Sequence, residues 1–257
     1  MRRGALTLVA ALALLACLGT GAFAATLLGT EGDDQLPGTA EPDQLYGEAG
    51  VDTLVGDDAN DYLEAGSGAD AVEGGNGLDL LIGGTGDDRV DAGRGDDVAY
   101  AGAGADLVLG GQGADTLLGQ AGPDRLFGGS GRDRVYASLG PDYVEAGSGP
   151  DWVSSEEGDV IINAGPGRDA IGASGGDVQV QGGPGDDRIR TGDGSDRVAG
   201  GGGRDALETG NGDDVVRVRD RRRDRVDCGD GTDQVQSDSG DVLTSCEGPL
   251  TPARRGR

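Results

Sequence analysis

Carboxylates recur along this chain at intervals of nine. From Asp34 to Asp214 every ninth residue is an aspartate, except where Val160 and Val178 stand. Carboxylate and backbone carbonyl oxygens are the donors that hard cations take, six to eight at a time for calcium. Such spacing offers one oxygen-donor pattern used many times. The chain has no histidine, which excludes a His-based triad, a zinc-protease helix and an imidazole base. Paired carboxylates can cleave glycosides, yet here each belongs to a repeating lattice and none stands apart as a catalytic pair.

The elements that must hold these carboxylates follow from the period. Of 257 residues, 54 are Gly, and 47 acidic residues face 21 basic ones, giving a net charge of −26. All the bases are Arg, and Asp outnumbers Glu 37 to 10. Taken as an average, such a chain is a self-repelling polyelectrolyte; its periodicity says otherwise. From Gly29 to Arg217 it divides into 21 unbroken nine-residue units. Position 4 is Gly in 19 units, position 6 is Asp in 19, and position 8 is Leu, Ile or Val in 20, with Ala99 departing. Gly83-Gly84-Thr85-Gly86-Asp87-Asp88-Arg89-Val90-Asp91 is a clear copy. Glycines at positions 1, 2 and 4 permit the φ > 0 of tight turns, and position 8 of a short strand points inward.

These units resemble the RTX calcium-binding nonapeptide, G-G-x-G-x-D-x-U-x with U aliphatic. The resemblance implies an all-β fold, a parallel β-roll with two nine-residue units per coil. Six residues of each unit turn and three form a strand, and residues 18 apart stack. It places Ca²⁺ between successive turns on each edge. One edge then carries Asp43, Asp61, Asp79, Asp97, Asp115, Asp133, Asp151, Asp169, Asp187 and Asp205. The other carries Asp34, Asp52, Asp70, Asp88, Asp106, Asp124 and Asp142, then Val160 and Val178, then Asp196 and Asp214. Adjacent pairs allow up to about 16 ions. Stacked at about 4.8 Å, neighbouring carboxylates repel by roughly 3.5 kcal/mol at an effective dielectric of 20. One aliphatic per unit makes a thin core, so the roll is expected to need calcium to fold. The two valines, each preceded by an Asp at position 5, read as drift or as a calcium-free stretch.

The flanks differ from the repeat. Residues 1–24 read as a signal peptide: Arg2 and Arg3, an apolar run from Ala5 to Leu18, and an Ala22-Phe23-Ala24 cleavage site. Leu14-Leu15-Ala16-Cys17 offers lipid attachment as the rival. No later stretch is apolar enough to span a membrane. The β-roll is expected over 25–217 and capping coils over 218–248, where a ten-residue unit breaks the period and its Arg run neutralises the end of the rod. An Arg-rich flexible tail follows over 249–257. Cys228 and Cys246 are 18 residues apart, one coil of the roll, so both should sit at position 1 and pair; two free thiols and an intermolecular bridge are the alternatives. Every aromatic from Tyr46 onward falls at an outward position, densest at Phe127, Tyr136, Tyr143 and Trp152. The reading is an exported, non-enzymatic calcium-binding protein acting as a structural or surface spacer. An adhesin binding a surface glycan or another protein is the alternative, and a solenoid polysaccharide enzyme a distant third. Nucleic acid is not expected as a partner of so acidic a chain.

Overall fold

The computed structural model describes residues 25–247. The expected signal peptide with Cys17, and the tail 249–257, lie outside the described residues. Within them the chain winds as a parallel β-solenoid of 25 strands, from β1 (Thr26–Leu28) to β25 (Val242–Thr244), with no helix. Odd-numbered strands form one sheet of 13 and even-numbered strands the other, of 12. Every pairing is parallel and nearly every one joins residues 18 apart, as Val108 with Val90 and Leu126. Two units make one coil, because each tight turn sends the chain from one sheet to the other.

The strands are longer than three residues through the middle of the rod. β12 (Arg125–Ser130), for example, takes in positions 7 to 9 and then 1 to 3 of the next unit. Identical backbone conformations stack on each other, so even turn residues lie in register with their copies one coil away, as Gly129 does with Gly111 and Gly147, and the turns hydrogen-bond across coils, as Gly131 N–H does to the Ser148 carbonyl.

The interior holds three residues per unit. Position 8 supplies the aliphatic column, including Leu45, Leu63, Leu81 and Leu117 with no exposed surface. Position 1 adds Ala65, Ala92, Ala101 and others to the same core, and the position-6 aspartates are buried beside it. The turn glycines divide accordingly. Most glycines at positions 2 and 4 have φ > 0, as at Gly84 (117°) and Gly86 (123°), but the position-1 glycines do not. Their requirement is space: a Cβ on Gly83 would lie 2.5 Å from the Ala101 carbonyl oxygen and 2.6 Å from Asp88 Oδ2. Glu48, Asp57, Gln120 and Ser138 occupy position 2 with φ > 0 nonetheless, a local strain that the neighbouring coils impose.

The ten-residue unit is absorbed without ending the roll. Ala206 pairs with Arg225, 19 residues on, and Arg225 with Val242, only 17 on. An insertion is thus followed by a deletion. Cys228 and Cys246 form a disulfide with Cα atoms 5.1 Å apart, but not because both sit at position 1. The shortened last coil pairs Asp227 with Thr244, which sets Cys228 opposite Ser245 and Cys246 one residue beyond. Ser245 takes φ 54° at this step. The bridge fastens a coil whose Val242 and Leu243 are more than a third exposed.

Substitution at Gly86 tests the stacking. Its added Cβ would lie 1.5 Å from the Gly68 carbonyl oxygen, so Gly86→Ala should cost at least about 2 kcal/mol. A Cβ on Gly240 meets nothing within 4 Å, and Gly240→Ala should stay within about 0.5 kcal/mol. Urea unfolding midpoints in millimolar calcium compare the two.

Candidate metal centre

Each turn carries its position-6 aspartate inward, and the two oxygens of that carboxylate have different fates. Oδ1 accepts a hydrogen bond from the backbone N–H of the equivalent aspartate one coil earlier. Asp97 N–H donates to Asp115 Oδ1 at 2.9 Å, and Asp115 N–H to Asp133 Oδ1 at 2.9 Å. This bond repeats along both edges and locks coil to coil. Oδ2 is buried and has no hydrogen-bond partner in 19 such aspartates, from Asp52 to Asp233. Buried carboxylate oxygens are normally paired, and leaving one unpaired is costly.

The electrostatics agree. Burial pushes the Asp79, Asp88, Asp115, Asp151 and Asp187 carboxyls up to about 7, with the charge of neighbouring aspartates adding to it. Burial likewise raises Asp97, Asp124, Asp142, Asp214 and Asp224 to about 6. The Oδ1 hydrogen bond opposes this without cancelling it. Two columns of inward carboxylate oxygens, unpartnered and desolvated, fit a hard divalent cation with oxygen ligands. Among the described residues no three Asp, Glu, Cys or His side chains converge to hold one metal ion. Backbone carbonyls of the glycine turns would therefore have to complete any coordination shell.

The aspartates named from the sequence do not all share this arrangement. Seventeen of them, from Asp52 to Asp214, do. Asp34 and Asp43 do not, because threonine replaces glycine at position 2 of their units. Thr30 donates N–H (2.6 Å) and Oγ1–H (2.9 Å) to Asp34 Oδ2, and Thr39 does the same to Asp43 Oδ2 at 2.6 and 3.1 Å. Two further aspartates join the columns. Asp205 N–H donates to Asp224 Oδ1 and Asp214 N–H to Asp233 Oδ1, each across 19 residues. The ten-residue unit hid them from a strict nine-residue count; the Asp-x-aliphatic pattern of Asp224-Arg225-Val226 and Asp233-Gln234-Val235 was the signal.

Val160 and Val178 are buried in the core. They offer no acceptor, so the column breaks after Asp142 and resumes where Val178 N–H donates to Asp196 Oδ1 at 2.9 Å. Asp159 and Asp177 are not displaced ligands. Position-5 Asp and Asn make an outer ladder of their own: Asp159 Oδ1 accepts from Asp177 N–H just as Asp87 Oδ1 accepts from Ala105 N–H. The four aromatics do not form one surface. Phe127 and Tyr143 pair on the even sheet, with ring centroids 5.9 Å apart, and Tyr136 and Trp152 pair on the odd sheet at 4.9 Å. Adjacent units always enter opposite sheets.

The comparison with known families agrees with this geometry. The model of the RTX calcium-binding nonapeptide repeat matches residues 28–63, 46–81, 73–108, 82–117, 109–144, 145–180 and 181–216. The matches run without a gap over nearly three quarters of the chain. No curated protein matches it.

The raised carboxyls set a pH dependence. Between about pH 4 and pH 7 the folded, calcium-free form holds more protons than the unfolded chain, whose Asp titrates near 3.9. Its stability therefore falls as pH rises through that window. In EGTA, circular dichroism should show more β structure at pH 5 than at pH 7.5. With calcium present the trend should reverse, because protons compete for the same oxygens.

Proposed function

The chain belongs to the RTX calcium-binding nonapeptide repeat family, and from that premise we propose that it is an exported protein that folds on calcium outside the cell and serves there as a non-enzymatic spacer. The observation that carries this reading is the double column of buried Oδ2 atoms with no partner. Position-6 aspartates of adjacent coils would hold each ion together with turn carbonyls, and calcium would supply the positive charge that the columns lack. Asp52 to Asp214 are the core of the ligand set, extended by Asp224 and Asp233. Asp34 and Asp43 would have to release their threonine bonds to join it. The leader over 1–24 supports export, and the millimolar calcium of extracellular fluids suits repeats of modest affinity. If each site has a Kd near 10⁻⁴ M, millimolar calcium adds about 1.4 kcal/mol per site. Sixteen sites would bring an upper bound of roughly 22 kcal/mol, enough to decide folded from unfolded. The partly exposed pair Tyr136–Trp152 favours a second reading, a rod that also presents a binding face.

Calcium titration tests the first reading. Far-UV circular dichroism should change from disordered to β as calcium rises through the submillimolar range at pH 7.5. Magnesium should substitute poorly, because it demands a strict octahedron and keeps its waters. An unchanged β spectrum in excess EGTA would overturn the proposal. The gap offers a sharper test. Val160→Asp combined with Val178→Asp should restore the column between Asp142 and Asp196 and raise the bound calcium by up to three ions. Equilibrium dialysis counts them, and an unaltered stoichiometry would show that position 6 does not set the sites.

A further inference from the structure

Arginine is concentrated where the ladder approaches its end. Eleven of the 21 arginines lie between Arg168 and Arg225. Two columns of one edge bring five of them together. Position 5 reads Arg168, Asp186, Arg204 and Arg223 on successive coils. Position 7 reads Ala170, Arg188, Ala206 and Arg225, joined in register strand to strand. The five arginines surround a hollow of about 460 Å³, with Asp186 and Ala206 at its wall and the column aspartates Asp187 and Asp205 at its base. Ala206 opens it, since it leaves a gap between Arg188 and Arg225.

Of the Arg run over 217–225, Arg219 pairs with Asp238, whereas Arg223 and Arg225 turn to this hollow. Three ion pairs form among the described residues, Arg89–Asp91, Arg190–Glu208 and Arg219–Asp238. None involves Arg168, Arg188, Arg204, Arg223 or Arg225. The one outward carboxylate of the hollow, Asp186, already accepts the Arg204 backbone N–H with Oδ1 at 2.9 Å. Asp187 and Asp205 are buried in the metal columns. Five guanidiniums therefore repel each other around a hollow in a chain otherwise crowded with acid.

We propose that this hollow binds sulfate or phosphate ester groups of a linear acidic glycan lying along the rod. A guanidinium fork matches such oxyanions in two parallel hydrogen bonds, and a tetrahedral ester has oxygens enough for more than one fork. Arg188 and Arg225 are two coils apart, about 10 Å at strand spacing, as are Arg168 and Arg204. That repeat suits a polymer with spaced anionic groups better than a single ion. The hollow continues into a second one of about 470 Å³, which shares Arg188 and Ala206, is flanked by the Arg190–Glu208 ion pair and ends at Trp152. Its floor is open at Gly172, where a Cβ would meet nothing within 4 Å. Trp152, 38% exposed, gives a flat apolar face on which a sugar ring can stack. Single-stranded nucleic acid is disfavoured, since its binders interleave basic groups with an aromatic for successive bases; here one aromatic stands at the margin. The inference goes beyond the calcium reading: the inward Asp187 and Asp205 at the base of the hollow stay with the columns, and the arginines alone bind the ester groups.

Titration calorimetry on the full chain in fixed millimolar calcium tests it, with dextran sulfate oligosaccharides, a phosphate-esterified dextran and neutral dextran as probes. The two charged glycans should separate sulfate from phosphate as the preferred group, and neutral dextran should not bind. Arg188→Ala with Arg225→Ala should weaken binding at least tenfold. Arg188→Lys with Arg225→Lys, which keeps the charge and loses the fork, should fall between, and it carries the test if the alanine variant does not fold. Arg94→Ala with Arg132→Ala, outside the hollow, should change affinity less than twofold. Equal affinities for the wild type and the hollow variants would overturn the proposal, as would an equal loss in the Arg94/Arg132 control. Tighter binding of a single-stranded oligonucleotide of matched charge would overturn the assignment to a glycan. The circular dichroism calcium titration, run on the same samples, reports on the calcium reading separately.

Discussion

A carboxylate whose one oxygen is committed and whose other is buried without a partner governs this molecule. Along both columns Oδ1 of a position-6 aspartate takes the N–H of the position-6 residue one coil earlier, as in Asp97 to Asp115, which fixes where one coil sits on the next. The same bond holds Oδ2 inside the turn, out of reach of water and of any donor. Water solvates a carboxylate well and a protein interior does so badly, so the arrangement raises the carboxyls and asks for a cation. Structure and ligand demand come from a single placement: the group that sets the register is the group that needs the ion.

The remaining features serve that placement. Position 1 must be small so that the turn closes over the carboxylate and the next coil's carbonyl. Positions 2 and 4 must accept φ > 0. Position 8 fills a core only one aliphatic wide on each side. Because every coil contacts chiefly its neighbours, the rod is close to one-dimensional, and local departures stay local. Two valines interrupt one column without interrupting either sheet. One extra residue in the Arg-rich unit is cancelled by one fewer in the next. The disulfide closes the coil at which the regular pattern, and the buried core with it, gives out.

The same regularity lays the surface out in columns. A residue type at a given position recurs every 18 residues on the same face, so a few substitutions write a stripe along the rod. Acidic residues dominate the first coils, and arginine at positions 5 and 7 collects in the last ones. Aromatics fall into pairs on opposite sheets because successive units alternate between them.

The sequence by itself determined the period, the two-unit coil, the parallel sheets, the inward aliphatics and the aspartate columns. All follow from which residue types return at which interval, and a strict repeat lets one unit speak for the rest. Asp224 and Asp233 escaped that count because a single insertion shifts the frame. Other matters were decided only by the tertiary structure, since they depend on contacts across coils that no one unit contains. That position-1 glycines answer to space and not to backbone sign is read from the carbonyl above them. That Asp34 and Asp43 satisfy their Oδ2 atoms depends on Thr30 and Thr39, which donate both N–H and Oγ1–H to them. The pairing of Cys228 with Cys246 was legible, but its geometry was not, because a deletion in the last coil moved the partner by one residue. The unpaired arginines of the hollow emerge only when position 5 of one coil and position 7 of another are brought to the same edge.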